Sequence, residues 1–290
     1  MSTDDVYARE EHFRRLVGKL PPMDPVDLRR IDGTTAVGRR QLLSARDRIL
    51  ATASKARGNP VVGGVAASIL HGNPWFDPAF RVELLRVPSG CGKRLEGRAS
   101  RRFELAIADV MELDDILVTT PVRTAFDVGR LVPEWRGLGQ LDALHRATSF
   151  SIPLLNRYIL EHKGWRHIRQ LRAIAPLIDG RAESPQESCL RLLMIRSDLP
   201  TPDLQIPVRD ETGRVFARAD LGYEELLICI EYDGAEFHSS EARRDRDARR
   251  DDKLRNLGWR VIRVDAEKLW DKPWLVLREI EDALRERGAY

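Results

Sequence analysis

The chain has 290 residues, which is long for one ordinary domain and enough for two that each bury a core. Hydrophobic residues make up 42% and charged residues 32% of the chain, which excludes collagen-like and disordered proteins. No apolar run approaches the roughly 20 residues that a membrane helix needs, and the N-terminus lacks the pattern of a secretory signal. We therefore expect a cytoplasmic protein that has no membrane partner.

Charge and cysteine content narrow the classes of function. The net charge of +3 arises from 48 basic and 45 acidic residues, so any nucleic-acid site must be a local patch. Only seven of the basic residues are Lys; the excess of Arg suits phosphate contacts, and a GC-rich genome explains it equally well. Cys91, Cys189 and Cys229 form no C-x-x-C pair, which excludes a zinc ribbon and a disulfide framework and indicates reduced, buried thiols.

The first half of the chain is predicted to mix helices and strands. Helices are expected over residues 7–20, 41–56, 61–72, 121–131, 137–147 and 151–163, and the strands VELLRVP and FELAIA are expected to flank residues 89–102. That intervening stretch is rich in Gly and Arg and carries Lys93, Arg94, Arg98, Arg101 and Arg102. It is either a DNA-contacting loop or a solvated one.

A domain boundary is predicted in PLIDGRAESP, residues 176–185, where Pro, Gly and Asp cluster between two periodic segments. It divides the chain into domains 1–183 and 184–290. In the second domain we expect a helix over 185–197, strands near 205–209, 214–221 and 226–232, a helix over 240–257, the strand WRVIRV and a final helix ending near 287. Central strands with helices on both sides indicate an α/β fold.

Three carboxylates are expected to meet at one end of a hairpin in this domain. Asp220 ends one predicted strand and Glu231 stands eleven positions later, so antiparallel pairing about a turn near Glu225 sets them nearly opposite each other. Asp233 lies two residues after Glu231 and therefore projects from the same face of the strand.

Like charges in one place are costly unless a positive charge neutralises them, and carboxylate oxygens are the ligands that Mg²⁺ or Mn²⁺ prefers. Glu231 carries most weight because it follows the apolar run LLICI, where an unpaired charge is expensive. A metal site built from Asp220, Glu231 and Asp233 is one interpretation of the cluster, and structural ion pairing is the other.

The segment after the hairpin adds phosphate-binding potential. Four basic residues recur at intervals of three or four along a charged helix: Arg243, Arg246, Arg250 and Lys253. This basic stripe either meets a DNA backbone or belongs to a solvated helix held by ion pairs with the interleaved Asp residues. His238 is either a proton-transfer or phosphate-contacting group, or a surface histidine.

The segments SPQESCLRLLMIRSDLPTPDLQIPV, RADLGYEELLICIEYDGAEFH and RDRDARRDDKLRNLGWRVIRV occur in this order within about residues 184 to 285. Together they resemble a bacterial domain family of unknown function that is similar to the very-short-patch-repair (Vsr-like) endonucleases of the PD-(D/E)XK fold. The resemblance implies a restriction-endonuclease-like mixed sheet flanked by helices, which acts on duplex DNA with Mg²⁺ or Mn²⁺.

By motif position, the resemblance implies a catalytic set of Glu187, Asp220 and Glu231, with Asp233 and His238 beyond them. Glu187 is otherwise a first-turn charge that favours a helix dipole. The signature of the fold ends its second strand with an acid, any residue and a Lys, whereas Asp233 stands here in place of that Lys. Arg250 or Lys253 from the following helix is a candidate substitute.

The first half carries a second resemblance. VVGGVAASILHG, TPVRTAFDVGRLV and LGQLDALHRAT, within residues 60–148, resemble the AbiEi antitoxin family. The resemblance implies an α+β domain and a role as a transcriptional regulator of toxin–antitoxin operons. The winged helix usual in that family is not evident in residues 1–45.

These observations favour a metal-dependent DNA endonuclease in DNA repair or phage defence, acting on mismatched or foreign duplex. The alternative is a non-catalytic DNA-binding regulator of antitoxin type that retains the nuclease fold. A third hypothesis is a scaffold that meets a toxin or another defence-system protein instead of DNA.

Overall fold

The computed structural model describes residues 44–77, 79–85, 105–234 and 241–289, with the side chains of 241–244 excepted. The described residues up to Gly180 form one compact unit, and those from Arg181 form a second. Each unit contains a mixed four-stranded sheet and helices, so the chain is a mixed α/β protein. Across the described residues, no helix is both long and apolar enough to cross a membrane.

The first unit combines short strands with helices. Its helices are α1 (Ala45–Ser54), α2 (Gly64–Leu70), α3 (Pro121–Val128), α4 (Glu134–Thr148), α5 (Ile152–Glu161) and α6 (Ile168–Ile174). Its strands are β1 (Val61–Gly63), β2 (Glu83–Leu85), β3 (Val110–Leu113) and β4 (Ile116–Thr119), in the sheet order β2-β1-β4-β3. The β1 and β4 strands are parallel, and the other pairs are antiparallel.

The helix predicted over residues 61–72 is wrong in its first turn. Val61–Gly63 is a strand, and the helix begins only at Gly64. Two adjacent β-branched residues favour an extended backbone, and Gly64 has a positive φ of 59°, which makes a sharp break between strand and helix. The predicted helix over residues 7–20 and the basic stretch of residues 89–102 lie outside the described residues.

A buried ion-pair network links the helices of this unit. Arg123 is fully buried on α3 and donates to Asp109 at 3.0 Å and to Asp127 at 2.9 Å. The Tyr158 hydroxyl on α5 also donates to Asp109, at 2.8 Å. Removing one residue of such a network leaves a buried charge without compensation. We therefore interpret the network as a fixed part of the core.

The second unit is organised around a sheet that carries the carboxylates. Its helices are α7 (Pro185–Arg196), α8 (Glu241–Asn256), α9 (Ala266–Asp271) and α10 (Pro273–Glu286). Its strands are β5 (Asp203–Arg209), β6 (Val215–Tyr223), β7 (Ile228–Asp233) and β8 (Arg260–Asp265), in the order β5-β6-β7-β8. The first two pairs are antiparallel and β7–β8 is parallel, with α8 as the crossover.

The sheet is covered by helices and has an apolar core. One cluster joins Ile206, Ala219 and Cys229 of the strands to Leu254 of α8 and Trp259. Helix α7 packs against β6, and α10 packs against β8. Cys189 and Cys229 are buried thiols, as expected from the sequence, and Cys91 lies outside the described residues.

Candidate functional site

The β6–β7 hairpin brings Asp220 and Glu231 to the same level of the sheet. Leu221 pairs with Ile230, and continuing that register by one residue sets Asp220 opposite Glu231. At this point the carboxylate of Asp220 accepts the backbone N–H of Tyr232 at 3.1 Å. Where the regular backbone ladder ends, the Asp220 side chain thus links the two strands. The register of the hairpin is the one that the sequence predicts.

Glu187 reaches the same region from the first turn of α7. The helix begins there because Ser184 accepts the Glu187 N–H as N-cap and Pro185 takes the first helical position. The Glu187 carboxylate accepts hydrogen bonds from the Glu183 N–H at 2.9 Å and the Ser184 hydroxyl at 2.9 Å. Only 6% of the surface of Glu187 is exposed, so this residue is not a solvated charge at the start of a helix.

Electrostatics couples the three carboxylates. The pKa of Glu187 is raised to about 7, chiefly by burial and secondly by the negative charge of Asp220. Burial also raises the pKa of Asp220 to about 6, with the Tyr232 N–H opposing this shift and the charge of Glu231 adding to it. Carboxylates from one helix and two strands therefore share one environment, in which adding negative charge is costly.

Glu231 differs from its two neighbours because arginines compensate its charge. Arg250 of α8 lies 2.5 Å from Glu231 Oε2, and Arg263 of β8 lies 3.1 Å from the same oxygen. Arg263 is also 2.7 Å from Asp251, and Arg250 is 3.9 Å from it, so both arginines divide their charge between carboxylates. Arg250 in addition keeps a buried Nε that has no hydrogen-bond partner among the described residues.

Asp233 lies apart from the buried carboxylates. Its side chain is 61% exposed at the end of β7, and its nearest described ion pair is with Arg263 at 3.8 Å. A residue at the carboxyl end of the strand extends beyond the covered part of the sheet, so sharing a strand face with Glu231 does not bury it. His238 lies outside the described residues.

The basic stripe has two kinds of member. Arg250 contacts Glu231, and Lys253 donates to Asp210 at 3.1 Å while its ammonium lies over the Phe216 ring. Arg246 is exposed on α8, and the side chain of Arg243 is not among those described. Arg250 and Lys253 therefore contact their own domain.

Gln205 is a site residue that the sequence reasoning did not select. It lies on β5 between Leu204, which pairs with Leu221, and Ile206, which pairs with Ala219, so it is opposite Asp220. Its Nε2 donates to Glu187 Oε2 at 3.0 Å. An isolated Gln in a strand has no charge and no motif, so only the three-dimensional contact reveals it.

The donor set suits a hard divalent cation, although the described residues contain no group of three or more His, Cys, Asp or Glu arranged to hold a metal. Mg²⁺ commonly keeps several waters and takes only one or two protein carboxylates. Beside Glu187, the buried Oε1 of Gln205 has no hydrogen-bond partner within the described part of the chain. The buried carboxylates of Glu187 and Asp220 and the unsatisfied carbonyl of Gln205 are features that a bound cation would satisfy.

A family model described as REase_MTES_1575, a restriction endonuclease-like family, matches residues 206–284. The matched stretch contains Asp220, Glu231 and Arg250 and leaves Glu187 outside. It supports a nuclease-like domain at this end of the chain, and such a domain implies DNA binding. The resemblance of residues 60–148 to the AbiEi family stays a prediction.

Two curated relatives from Mycobacterium tuberculosis are similar to this chain. They are named "Uncharacterized protein MT2308", from strain CDC 1551, and "Uncharacterized protein Rv2248", from strain H37Rv. Each is 34% identical over 157 residues, which cover 54% of this chain and 58% of the relative. The chain thus spans little more than half the length of these relatives. No solved structure matches it significantly.

Proposed function

We propose that residues 181–290 form a metal-dependent DNA endonuclease domain that hydrolyses a phosphodiester bond. The supporting observation is that Asp220 interacts electrostatically with both Glu187 and Glu231, which joins carboxylates from α7, β6 and β7. Two of the three lie within the stretch that matches the restriction endonuclease-like family. Perturbed carboxylates gathered on a rigid sheet are a recurrent mark of catalytic sites.

Asp220 and Glu231 are the residues that would hold Mg²⁺ or Mn²⁺, with Glu187 beside them and Asp233 at the exposed rim. When bound, the cation would stabilise negative charge on the phosphate and lower the pKa of a water molecule. One of the chain's own cations at this place is Arg250, which contacts Glu231 in a site where Asp233 replaces the usual Lys. A guanidinium is always charged and can bind two phosphate oxygens at once.

The deciding experiment is cleavage of supercoiled plasmid and of mismatched duplex by the full chain, with Mg²⁺ or Mn²⁺. Asp220→Asn keeps an oxygen that can accept the Tyr232 N–H, so it removes the charge while preserving the fold. We expect this variant to lose cleavage by about 100-fold or more. Asp203→Asn, at the exposed start of β5, is the matched control and should cleave like the wild type. Equal cleavage by Asp220→Asn, or none by the wild type with either metal, would contradict the proposal.

A DNA-binding regulator that retains the nuclease fold is the second candidate. It is favoured by the Arg250 and Arg263 contacts to Glu231, which neutralise this carboxylate without a metal, and by the acid at position 233. It predicts that the chain still binds DNA in the presence of a chelator and that it cleaves DNA with no metal ion tested.

In either case, the AbiEi-like segment would select or position the DNA, and a toxin or defence-system protein is a candidate partner. Mismatch repair and defence against foreign DNA are the settings to test.

A further inference from the structure

Gln205 has an unusual backbone conformation for a residue in the middle of a strand. Its φ is +56°, in the left-handed region that residues with side chains rarely adopt. The neighbouring Leu204 and Ile206 are buried and paired with β6, so the strand keeps its register through this residue. The surrounding sheet therefore holds Gln205 in a strained conformation, and such strain often occurs at functional sites.

The side chain of Gln205 is satisfied at only one end. The amide nitrogen donates to Glu187, and the oxygen of the same planar group is buried with no hydrogen-bond partner among the described residues. A buried amide oxygen without a partner is costly, and native proteins contain few of them. The unsatisfied oxygen and the backbone strain thus coincide in one residue, which lies opposite Asp220 and contacts Glu187.

We propose that Gln205 is an uncharged oxygen ligand of the divalent-cation site. Amide carbonyl oxygens are good ligands for hard cations. A neutral donor suits this position, because a further carboxylate would add repulsion to a group of like charges that already resists ionisation. The inference rests on the cation site of the proposed function and extends it by a donor from a fourth element, β5.

Calorimetric titration of Mn²⁺ into the full-length chain tests this assignment without relying on DNA cleavage. Gln205→Met has a similar length and lacks the oxygen, so we expect it to weaken Mn²⁺ binding about 10-fold. Gln205→Glu keeps an oxygen but loses the N–H that is donated to Glu187, and it should bind Mn²⁺ at least as tightly as the wild type. Asp203→Asn on the same strand is the control and should leave the affinity unchanged.

A purely structural role, in which Gln205 only holds Glu187, makes a different prediction. Both Gln205→Met and Gln205→Glu remove the hydrogen bond to Glu187, so both would weaken Mn²⁺ binding equally. Thermal unfolding supplies a second readout: Gln205→Glu should lower the Tm of the metal-free chain, and Mn²⁺ should restore it. Equal weakening in both variants, or wild-type affinity in Gln205→Met, would overturn the proposal.

The outcomes also separate this inference from the nuclease function. If the wild type and the Gln205 variants bind Mn²⁺ with the expected affinities but the wild type cleaves no DNA, the proposed nuclease function is wrong. The assignment of Gln205 as a ligand is then still supported. If it binds no divalent cation, both the ligand and the metal dependence of the proposed function fail. If it binds Mn²⁺ and cleaves DNA while Gln205→Met keeps full affinity, only the ligand fails.

Discussion

At the scale of single residues, Glu187 is a carboxylic acid in an environment that disfavours its charge. Its pKa is raised from 4.5 to about 7, chiefly by burial. Well below pH 4.5 the Glu187 carboxyl is protonated in both the folded and the unfolded chain, so its pKa shift does not affect the free energy of unfolding. Between about pH 4.5 and pH 7 the unfolded chain ionises while the folded chain stays largely protonated, so the folded state progressively loses roughly 3 kcal/mol of stability.

Glu187→Gln should therefore stabilise the metal-free chain by up to about 3 kcal/mol at pH 8 and hardly at all near pH 4. The Gln oxygen can accept the hydrogen bonds from Glu183 and Gln205, while its amide nitrogen turns to the Ser184 hydroxyl. Denaturant unfolding at the two pH values measures the difference, with the exposed Glu225→Gln as a control. An equal effect at both pH values would show that ionisation of Glu187 is not the cause.

Arg250 gives the second prediction at this scale. Since its guanidinium contacts Glu231 and keeps a donor unused, Arg250→Gln should lower the DNA cleavage rate at saturating DNA by about 100-fold. The DNA affinity measured with Ca²⁺ should change by less than about 3-fold, and Arg250→Lys should keep part of the activity. Arg255→Gln, which breaks an exposed pair with Asp252 on the same helix, is the matched control. Wild-type cleavage by Arg250→Gln would remove this residue from the reaction.

At the scale of elements, the β6–β7 pair depends on the close approach of two backbones at Gly222. This residue is paired with Cys229, and a Cβ at position 222 would lie 2.1 Å from the carbonyl oxygen of Ile228. Backbone atoms of a central strand cannot move aside cheaply. The hairpin register that sets Asp220 opposite Glu231 therefore requires glycine two residues from the site.

Gly222→Ala should lower the free energy of unfolding by about 2–4 kcal/mol, because the two strands must separate to admit the methyl group. Gly234→Ala is the matched control, since a Cβ there would meet nothing closer than Tyr232 Cε1 at 4.0 Å. Chemical denaturation of both variants measures the difference. If Gly222→Ala unfolds at the wild-type denaturant concentration, the close approach is not structurally important.

At the scale of the whole molecule, the near balance of 48 basic and 45 acidic residues limits non-specific attraction to DNA. The basic stripe offers at most four cations. We therefore expect the logarithm of the DNA affinity to fall against the logarithm of salt concentration with a slope no steeper than about −4, since each phosphate contact contributes about −0.9.

Fluorescence anisotropy over a salt series measures this slope in the full chain. Arg246→Gln should reduce its magnitude by about 1, because Arg246 is exposed on α8. A slope clearly steeper than about −4 would show that DNA contacts cations beyond the stripe, and it would direct attention to the basic residues of 89–102.

Much of the second unit follows from sequence patterns. The apolar run LLICI predicts a buried strand, and the spacing of Asp220 and Glu231 predicts the hairpin register that the structure has. The sequence offered Arg250 as a candidate substitute for the missing Lys, but it did not predict the contact of Glu231 with Arg263 or that of Glu187 with Gln205. Both join side chains from elements distant in sequence, and neither periodicity nor spacing encodes such contacts. The strand at Val61 was missed because three residues are too few to show a period of two.

The hydrogen bond from Tyr232 to Asp220 makes one backbone amide a local reporter of the site. In a regular hairpin, an amide at this level would be protected from hydrogen exchange by the opposite strand. Here its protection depends on a carboxylate, so any ligand that draws the Asp220 oxygen away exposes the Tyr232 proton to solvent. Exchange at this single amide would therefore register occupancy of the site by nuclear magnetic resonance, without substrate turnover.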